Sequence, residues 1–122
     1  MTRDDFANAL RGLSWPEVDI GPGIAQDFRC GYCGRDLVAS VEDYDCWTKD
    51  HIMPGTDFSP DNIVIACRLC NYVKRNYAPK GETRIERIAD AWGFIQTGRA
   101  RKVEIHRQLV ECVSVYRTGL AS

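Results

Sequence analysis

The start of the chain places apolar side chains at helical spacing. Three of them share one face of residues 3–13, namely Phe6, Leu10 and Leu13. That spacing predicts a short amphipathic helix. Trp15–Pro16 and then Gly21–Pro22–Gly23 follow this segment, and we expect both to interrupt regular structure.

The middle of the chain alternates between turn residues and runs of β-branched or aromatic residues. Residues 38–41 and 45–52 predict short strands, and residues 62–67 predict a further strand. A loop rich in proline and glycine is expected over 54–61. Residues 68–77 predict a helix, which proline and glycine end shortly afterwards.

The last part of the chain, about residues 82–118, is basic and amphipathic. Apolar residues recur at helical spacing over 85–95 and again over 103–116, with Gly93 and Gly98 interrupting the pattern. We expect these helices to cover a small core, and docking of a partner is the alternative.

Length and composition favour one globular domain over residues 1–122. Hydrophobic residues make up 44% and charged residues 27%, which argues against a disordered chain, collagen or a coiled-coil rod. No apolar run approaches the roughly 18 residues that a membrane span needs. The N-terminus also lacks the apolar stretch of a signal peptide. We therefore expect a cytoplasmic protein with no membrane partner.

The charges are unevenly divided along the chain. The net charge of −1 by itself suggests no polyanionic partner. However, residues 1–66 carry five Lys and Arg against twelve Asp and Glu, whereas residues 67–122 carry eleven against five. Such asymmetry between halves is a hint of nucleic-acid contact.

Four of the six cysteines form two CxxC pairs: Cys30 with Cys33, and Cys67 with Cys70. Structural disulfides are rare in the cytosol, whereas two such pairs supply the four thiolates of a tetrahedral zinc site. Because four protein ligands leave no open position, we expect a structural Zn²⁺. The remaining Cys46 and Cys112 are expected to be core thiols.

The spacing between the pairs is longer than in a plain zinc ribbon. Thirty-three residues separate Cys33 from Cys67, against the usual 15–20. The inserted segment contains Asp50 and His51, and Asn71 directly follows Cys70. Carboxylate and amide oxygens suit a hard cation such as Mg²⁺, and imidazole suits proton transfer near neutral pH.

From Cys30 to about Lys74 the sequence resembles the HNH, or ββα-metal, endonucleases. The resemblance rests on three segments: CGYCG at 30–34, DHIMP at 50–54, and DNIVIACRLCNYVK at 61–74. Their order matches the family throughout. Asn71 stands where many members have histidine, which makes this an H-N-N variant.

The resemblance implies a role for each matched residue. His51 would be the general base, and Asp50 and Asn71 would hold one catalytic Mg²⁺ or Mn²⁺. Asn62 would brace the loop that orients His51. Together these four are the expected catalytic residues. The family also implies DNA as the substrate. The basic residues beside the motif are candidate phosphate contacts: Arg68, Lys74 and Arg75.

The sequence therefore predicts an α+β fold with a small ββα-metal core, about residues 28–78, stapled by the four-cysteine zinc site and flanked by N- and C-terminal helices. The expected activity is metal-dependent hydrolysis of DNA. Two alternatives stay open. One is a non-catalytic zinc module that docks nucleic acid or protein. The other is a nuclease subunit that is active only in a larger assembly. If the C-terminal helices dock a partner instead of covering the core, that partner would be another protein or a second copy of the chain.

Overall fold

A computed structural model describes residues 1–121 of the protein. Five α-helices and two strands occur in this range, with a 3₁₀ turn at Pro60–Asn62. In chain order they are α1 (Arg3–Gly12), α2 (Glu17–Ala25), α3 (Val41–Asp45), β1 (Trp47–His51), β2 (Ile63–Cys67), α4 (Arg68–Lys74) and α5 (Arg84–Ala121). The predicted α+β class is confirmed.

The centre of the molecule is a ββα unit made of β1, β2 and α4. The two strands pair antiparallel in a register that sets Asp50 opposite Val64 and His51 opposite Ile63. Helix α4 follows β2 without a linker because the Cys67 side chain accepts a hydrogen bond from the first helical turn. It ends at Lys74, since Arg75 adopts a positive φ of 47°. The strands predicted at 45–52 and 62–67 and the helix predicted at 68–77 are confirmed. The helix is three residues shorter than predicted.

The buried core lies between this sheet, the first CxxC loop and the start of α5. Its largest fully buried apolar side chains are Leu37, Ile52, Ile65, Ile95 and Val64. Val64 and Ile65 of β2 are both buried, so the strand is covered on both faces, as its continuous apolar run requires.

The N-terminal helices pack on the ββα unit through aromatic rings. The cluster contains Phe6, Trp15, Phe28, Tyr44 and Trp47. Helix α1 agrees with the prediction, but the expected break at Gly21–Pro22–Gly23 is wrong because α2 runs through it. A Cβ at Gly23 would lie 3.1–3.3 Å from atoms of three of these rings, so close packing on the cluster overrides the low helix propensity.

The predicted strand at 38–41 is also wrong. Local side-chain hydrogen bonds compete with a strand there, since the Asp36 carboxylate accepts from the Val38 N–H and the Ser40 hydroxyl accepts from the Asp43 N–H. Ser40 is the N-cap of the short helix α3, which forms instead of a strand.

Helix α5 is one continuous helix of 38 residues, so the expected interruptions at Gly93 and Gly98 are wrong. Its first half contacts α4 and buries Ala91 and Ile95. Residues 101–120, here called the projecting half, are exposed except for the half-buried Val113. Cys112 lies there and is exposed, which corrects its expected place in the core, whereas Cys46 packs against the core.

Among residues 1–121, no helix is both long enough and apolar enough to cross a membrane.

Candidate active site and metal centre

The two CxxC pairs form one cluster that fits a tetrahedral metal ion. All four Sγ atoms, of Cys30, Cys33, Cys67 and Cys70, lie within 4.8 Å of one another. The Cys33 and Cys67 sulfurs are 3.7 Å apart. A tetrahedron with Zn–S bonds of about 2.3 Å has S–S edges of about 3.8 Å, so the four thiols match Zn²⁺ in both chemistry and spacing.

Backbone amides support the first sulfur of each pair. The N–H groups of Tyr32 and Cys33 donate to Cys30 Sγ at 3.4 Å, and the Cys70 N–H donates to Cys67 Sγ at 3.4 Å. Hydrogen bonds from Cys67 and Cys70 lower the pKa of Cys30, and that thiolate raises the pKa of Cys70. A bound Zn²⁺ removes this competition because it holds thiolates.

Arg99 of α5 lies beside the same cluster. Its guanidinium donates to Cys70 Sγ at 3.4 Å, so the first half of α5 is tied to the metal centre. A cation in this position offsets part of the negative charge that four thiolates bring to the site.

Asp50 is buried, and two donors hold one of its oxygens. The Tyr32 hydroxyl donates to Asp50 Oδ2 at 2.6 Å, and the Lys74 ammonium lies 3.1 Å from the same oxygen. Burial, followed by the hydrogen bond to Asp50, raises the pKa of Tyr32, so its phenol stays a donor. Lys74 also donates to the His51 carbonyl oxygen at 2.9 Å.

Asn71 of α4 lies over the face of the sheet that carries Asp50. Its side-chain amide donates to Thr48 Oγ1 at 3.1 Å, and Thr48 precedes Asp50 by two residues on β1. Alternation along a strand therefore puts Thr48 and Asp50 on one face, and α4 covers that face with Asn71 and Lys74. Carboxylate and amide oxygens are hard donors, so the chemistry of this pair suits a divalent cation such as Mg²⁺.

The His51 side chain extends from the opposite face of β1. Its ring packs edge-on against Phe58, with centroids 4.8 Å apart, and it borders a groove of about 780 Å³ between the sheet and the N-terminal helices. Its Nε2 atom is buried and has no hydrogen-bond partner in residues 1–121. In the same loop as Phe58, the Ser59 N–H donates to the Asp57 carboxylate at 2.9 Å, and hydrogen bonds from Ser59 lower the pKa of Asp57.

Asn62 holds the loop that joins the two strands. Its side-chain oxygen accepts from the Met53 N–H at 2.9 Å, and its amide donates to the Met53 and Asp57 carbonyl oxygens at 3.0 Å each. The side chain is almost completely buried. This loop carries Phe58, so Asn62 fixes the wall against which the His51 ring packs.

Residues 30–76 match the model of the HNH endonuclease family. The match covers a little over a third of the chain, and it contains both cysteine pairs and all four expected catalytic residues. The resemblance seen in the sequence is thereby confirmed for this segment, and the four-cysteine cluster agrees with the zinc-stapled variant. The comparisons with curated proteins and with solved structures gave no significant match.

The basic residues of the HNH region have different surroundings. The Lys74 side chain is fully buried, so its position does not suit the expected phosphate contact. Arg68 and Arg75 are exposed, where Arg68 pairs with Asp45 and Arg75 lies over the ring of Tyr72.

Sequence reasoning does not anticipate that Tyr32 and Lys74 both hold Asp50. In the sequence, Tyr32 is only a spacer residue of a CxxC pair, and Lys74 is one cation among several. A signal does exist for Lys74, because it lies three residues after Asn71 and so shares its helix face. Tyr32 gives no comparable signal, because its contact with Asp50 depends on the tertiary fold.

Proposed function

We propose that the protein is a cytoplasmic, metal-dependent endonuclease that hydrolyses phosphodiester bonds of DNA. The observation that carries this proposal is the buried, unpartnered Nε2 atom of His51. His51 lies in the segment that matches HNH endonucleases, and the residue borders the groove between the sheet and the N-terminal helices. A buried polar atom without a partner is costly in a protein that merely folds, and it suits one that receives a proton during a reaction.

His51 is the general base of the proposed reaction. Its free Nε2 takes a proton from water as the water oxygen attacks phosphorus, and the bond from phosphorus to the leaving oxygen breaks. Neutral imidazole is suited to this step because its unprotonated ring nitrogen accepts a proton. Asn62 and Phe58 keep the ring in place, since one fixes the loop and the other packs against the imidazole.

Asp50 and Asn71 are the proposed holders of a catalytic Mg²⁺ or Mn²⁺. Such a cation supplies positive charge for the phosphate oxygens and for the leaving oxygen. Asp50 and His51 leave opposite faces of β1, and β1 ends at His51. We therefore propose that the scissile phosphate binds at this end of the sheet, within reach of side chains from both faces.

A basic patch formed by α4 and α5 is the proposed DNA contact. Tyr72 lies at its centre, with Arg75 4.7 Å and Lys102 4.6 Å from the ring centroid, and Arg101 borders the same hollow. Exposed cations around a half-exposed aromatic ring suit contacts with backbone phosphates. Arg68 is proposed as a further phosphate contact beside α4.

Cleavage of supercoiled plasmid in Mg²⁺, compared between the wild type and His51→Ala, tests the proposal. Loss of a general base typically costs 10²- to 10⁴-fold in rate, so we expect His51→Ala to slow nicking by about that factor. DNA affinity and zinc content should not change, because the imidazole is assigned to neither task. The matched control is His106→Ala, which removes the other histidine, an exposed one on α5.

The outcomes separate the function classes. Nicking that is equal in the wild type and in His51→Ala would overturn the mechanism. A wild type that binds DNA but never nicks it would favour a non-catalytic zinc module. Nicking that needs an added protein would favour a subunit of a larger assembly.

A further inference from the structure

Lys74 is the most deeply buried charged residue that the proposed mechanism leaves unused. Its side chain has no exposed surface, although lysine is almost never fully buried unless it is paired. Its ammonium has two partners, Asp50 Oδ2 at 3.1 Å and the His51 carbonyl oxygen at 2.9 Å. One side chain of α4 therefore touches both residues at the end of β1 to which the proposed chemistry is assigned.

The contact with Asp50 sets the charge of the proposed cation site. Tyr32 and Lys74 share Oδ2, while Oδ1 has no hydrogen-bond partner within residues 1–121. The ion pair with Lys74 and the hydrogen bond from Tyr32 hold the Asp50 carboxylate in place before any cation arrives. The positive charge of Lys74 repels a divalent cation that approaches the carboxylate.

The contact with His51 acts on the backbone, not on the imidazole. A hydrogen bond from a buried ammonium to the last carbonyl of β1 fixes the strand end from which the His51 side chain leaves. Helix α4 thus holds the end of β1 by two contacts from a single residue, whereas a phosphate contact would need the ammonium to lie at the surface.

We propose that Lys74 is a positioning residue and resident counter-charge of the cation site, which orders Asp50 and the end of β1 while keeping the divalent cation weakly held. This inference rests on the proposed function, because it takes Asp50 as a ligand of the divalent cation. It adds a residue that sets the affinity and the exchange of that cation.

Binding of Mn²⁺, followed by electron paramagnetic resonance on the zinc-loaded protein, is the direct test. Lys74→Met removes the charge and keeps a long unbranched side chain, so Mn²⁺ should bind about tenfold more tightly than in the wild type, or tighter still. Lys80→Met makes the same substitution at an exposed lysine of the following loop and should leave the affinity within about twofold.

Cleavage kinetics provide the second readout. Lys74→Met should lower kcat by about tenfold or more, while KM for DNA and its salt dependence stay at the wild-type values. A phosphate-binding lysine would give the opposite result, with a raised KM and a smaller salt dependence.

The outcomes distinguish this inference from the proposed function. A wild type that binds no Mn²⁺ overturns the cation site and this inference together. A wild type that binds Mn²⁺ no more weakly than Lys74→Met overturns only the role of Lys74.

Whether Lys74→Met folds, with and without Mn²⁺, is a further test of the inference. If Lys74→Met does not fold alone, recovery of the fold on adding Mn²⁺ supports the inference, because the cation replaces the missing charge. Lys74→Gln, which keeps a hydrogen-bond donor, is the second variant. Failure of both variants to fold in Mn²⁺ overturns the inference.

Discussion

Two neighbouring residues, Asp50 and His51, divide the site between the two faces of one strand. Asp50 is enclosed by Tyr32 and Lys74 under α4, whereas His51 borders the groove on the other side. The carboxylate is therefore fixed by the protein, while the nitrogen of the imidazole is left free. That division suits a cation site on one face and a proton acceptor on the other.

The proposed cation ligands can be tested by substitutions that keep the shape of the side chain. Asp50→Asn keeps an acceptor for Tyr32 and Lys74 but removes the charge, so Mg²⁺-dependent nicking should fall at least 10²-fold while zinc content is unchanged. Asp61→Asn makes the same substitution at an exposed position of the loop and should nick like the wild type. Equal nicking by the two variants would remove Asp50 from the cation site.

Asn71 offers a graded version of the same test. Asn71→Ala should abolish nicking, because it removes the amide oxygen. Asn71→His should keep part of the activity, since imidazole also binds divalent metals. Activity measured over a range of Mn²⁺ concentrations checks this order, and a histidine variant no better than the alanine variant would contradict it.

At the scale of elements, the ββα unit could be predicted because its signals are local. The continuous apolar run of β2 and the CxxC pair at the start of α4 indicate a buried strand that leads into a helix beside a metal. The sequence did not reveal α2, since Gly21–Pro22–Gly23 contains the residues that favour breaks and only packing on the aromatic cluster outweighs them.

The continuity of helix α5 also could not be predicted from local sequence. The sequence predicts an interruption at Gly98, but a Cβ there would clash with the Val73 side chain of α4. The glycine allows two helices to approach closely, and no local pattern distinguishes that use from a helix break.

Paired substitutions at the two glycines of α5 test this packing role. Gly98→Ala should lower the free energy of unfolding by about 1–3 kcal/mol, because the added methyl group meets Val73. Gly93→Ala has nothing within 4 Å of the new methyl group and should raise it by up to about 1 kcal/mol through helix propensity. Urea denaturation measures both changes, and the same sign for the two variants would contradict the packing role.

At the scale of the whole molecule, the cysteine cluster joins distant parts of the chain. It ties the first CxxC loop to the start of α4, and Arg99 links α5 to the same cluster. Tyr32 lies between the first two cysteines and donates to Asp50, so the metal centre also supports the candidate active site.

Removal of zinc should therefore unfold the centre of the molecule. We expect about one tightly held zinc per chain, and Cys67→Ser should cause a large loss of thermal stability. Cys112→Ser changes an exposed cysteine outside the cluster and serves as the control. Metal analysis with thermal melting checks this, and a native, active sample without zinc would contradict it.

The projecting half of α5 is the part of the molecule that the sequence described least well. Over about 30 Å it exposes apolar side chains such as Leu109, Val110 and Tyr116 to solvent. The predicted helices are present, but they form a single helix that leaves the core after Arg99. A protein partner or homodimer through this helix stays a prediction, as does the division into a core at 28–78 and an extension at 82–118.

The basic residues of α5 allow a specific prediction about DNA binding, because some of them form ion pairs and others do not. Arg107 forms ion pairs with Glu104 and Glu111, so its charge is already balanced. Arg101 and Lys102 are exposed beside Tyr72, and no ion pair involves either of them in the described chain.

Neutralising the unpaired cations should weaken DNA binding most. Removal of one phosphate contact lowers the slope of log affinity against log salt by about 0.9, so Arg101→Gln with Lys102→Gln should flatten it by nearly two. Arg107→Gln should change the slope by much less, since its charge is shared with two glutamates. Fluorescence anisotropy over a range of salt concentrations measures both variants. Equal slopes for both would show that DNA does not contact the patch around Tyr72.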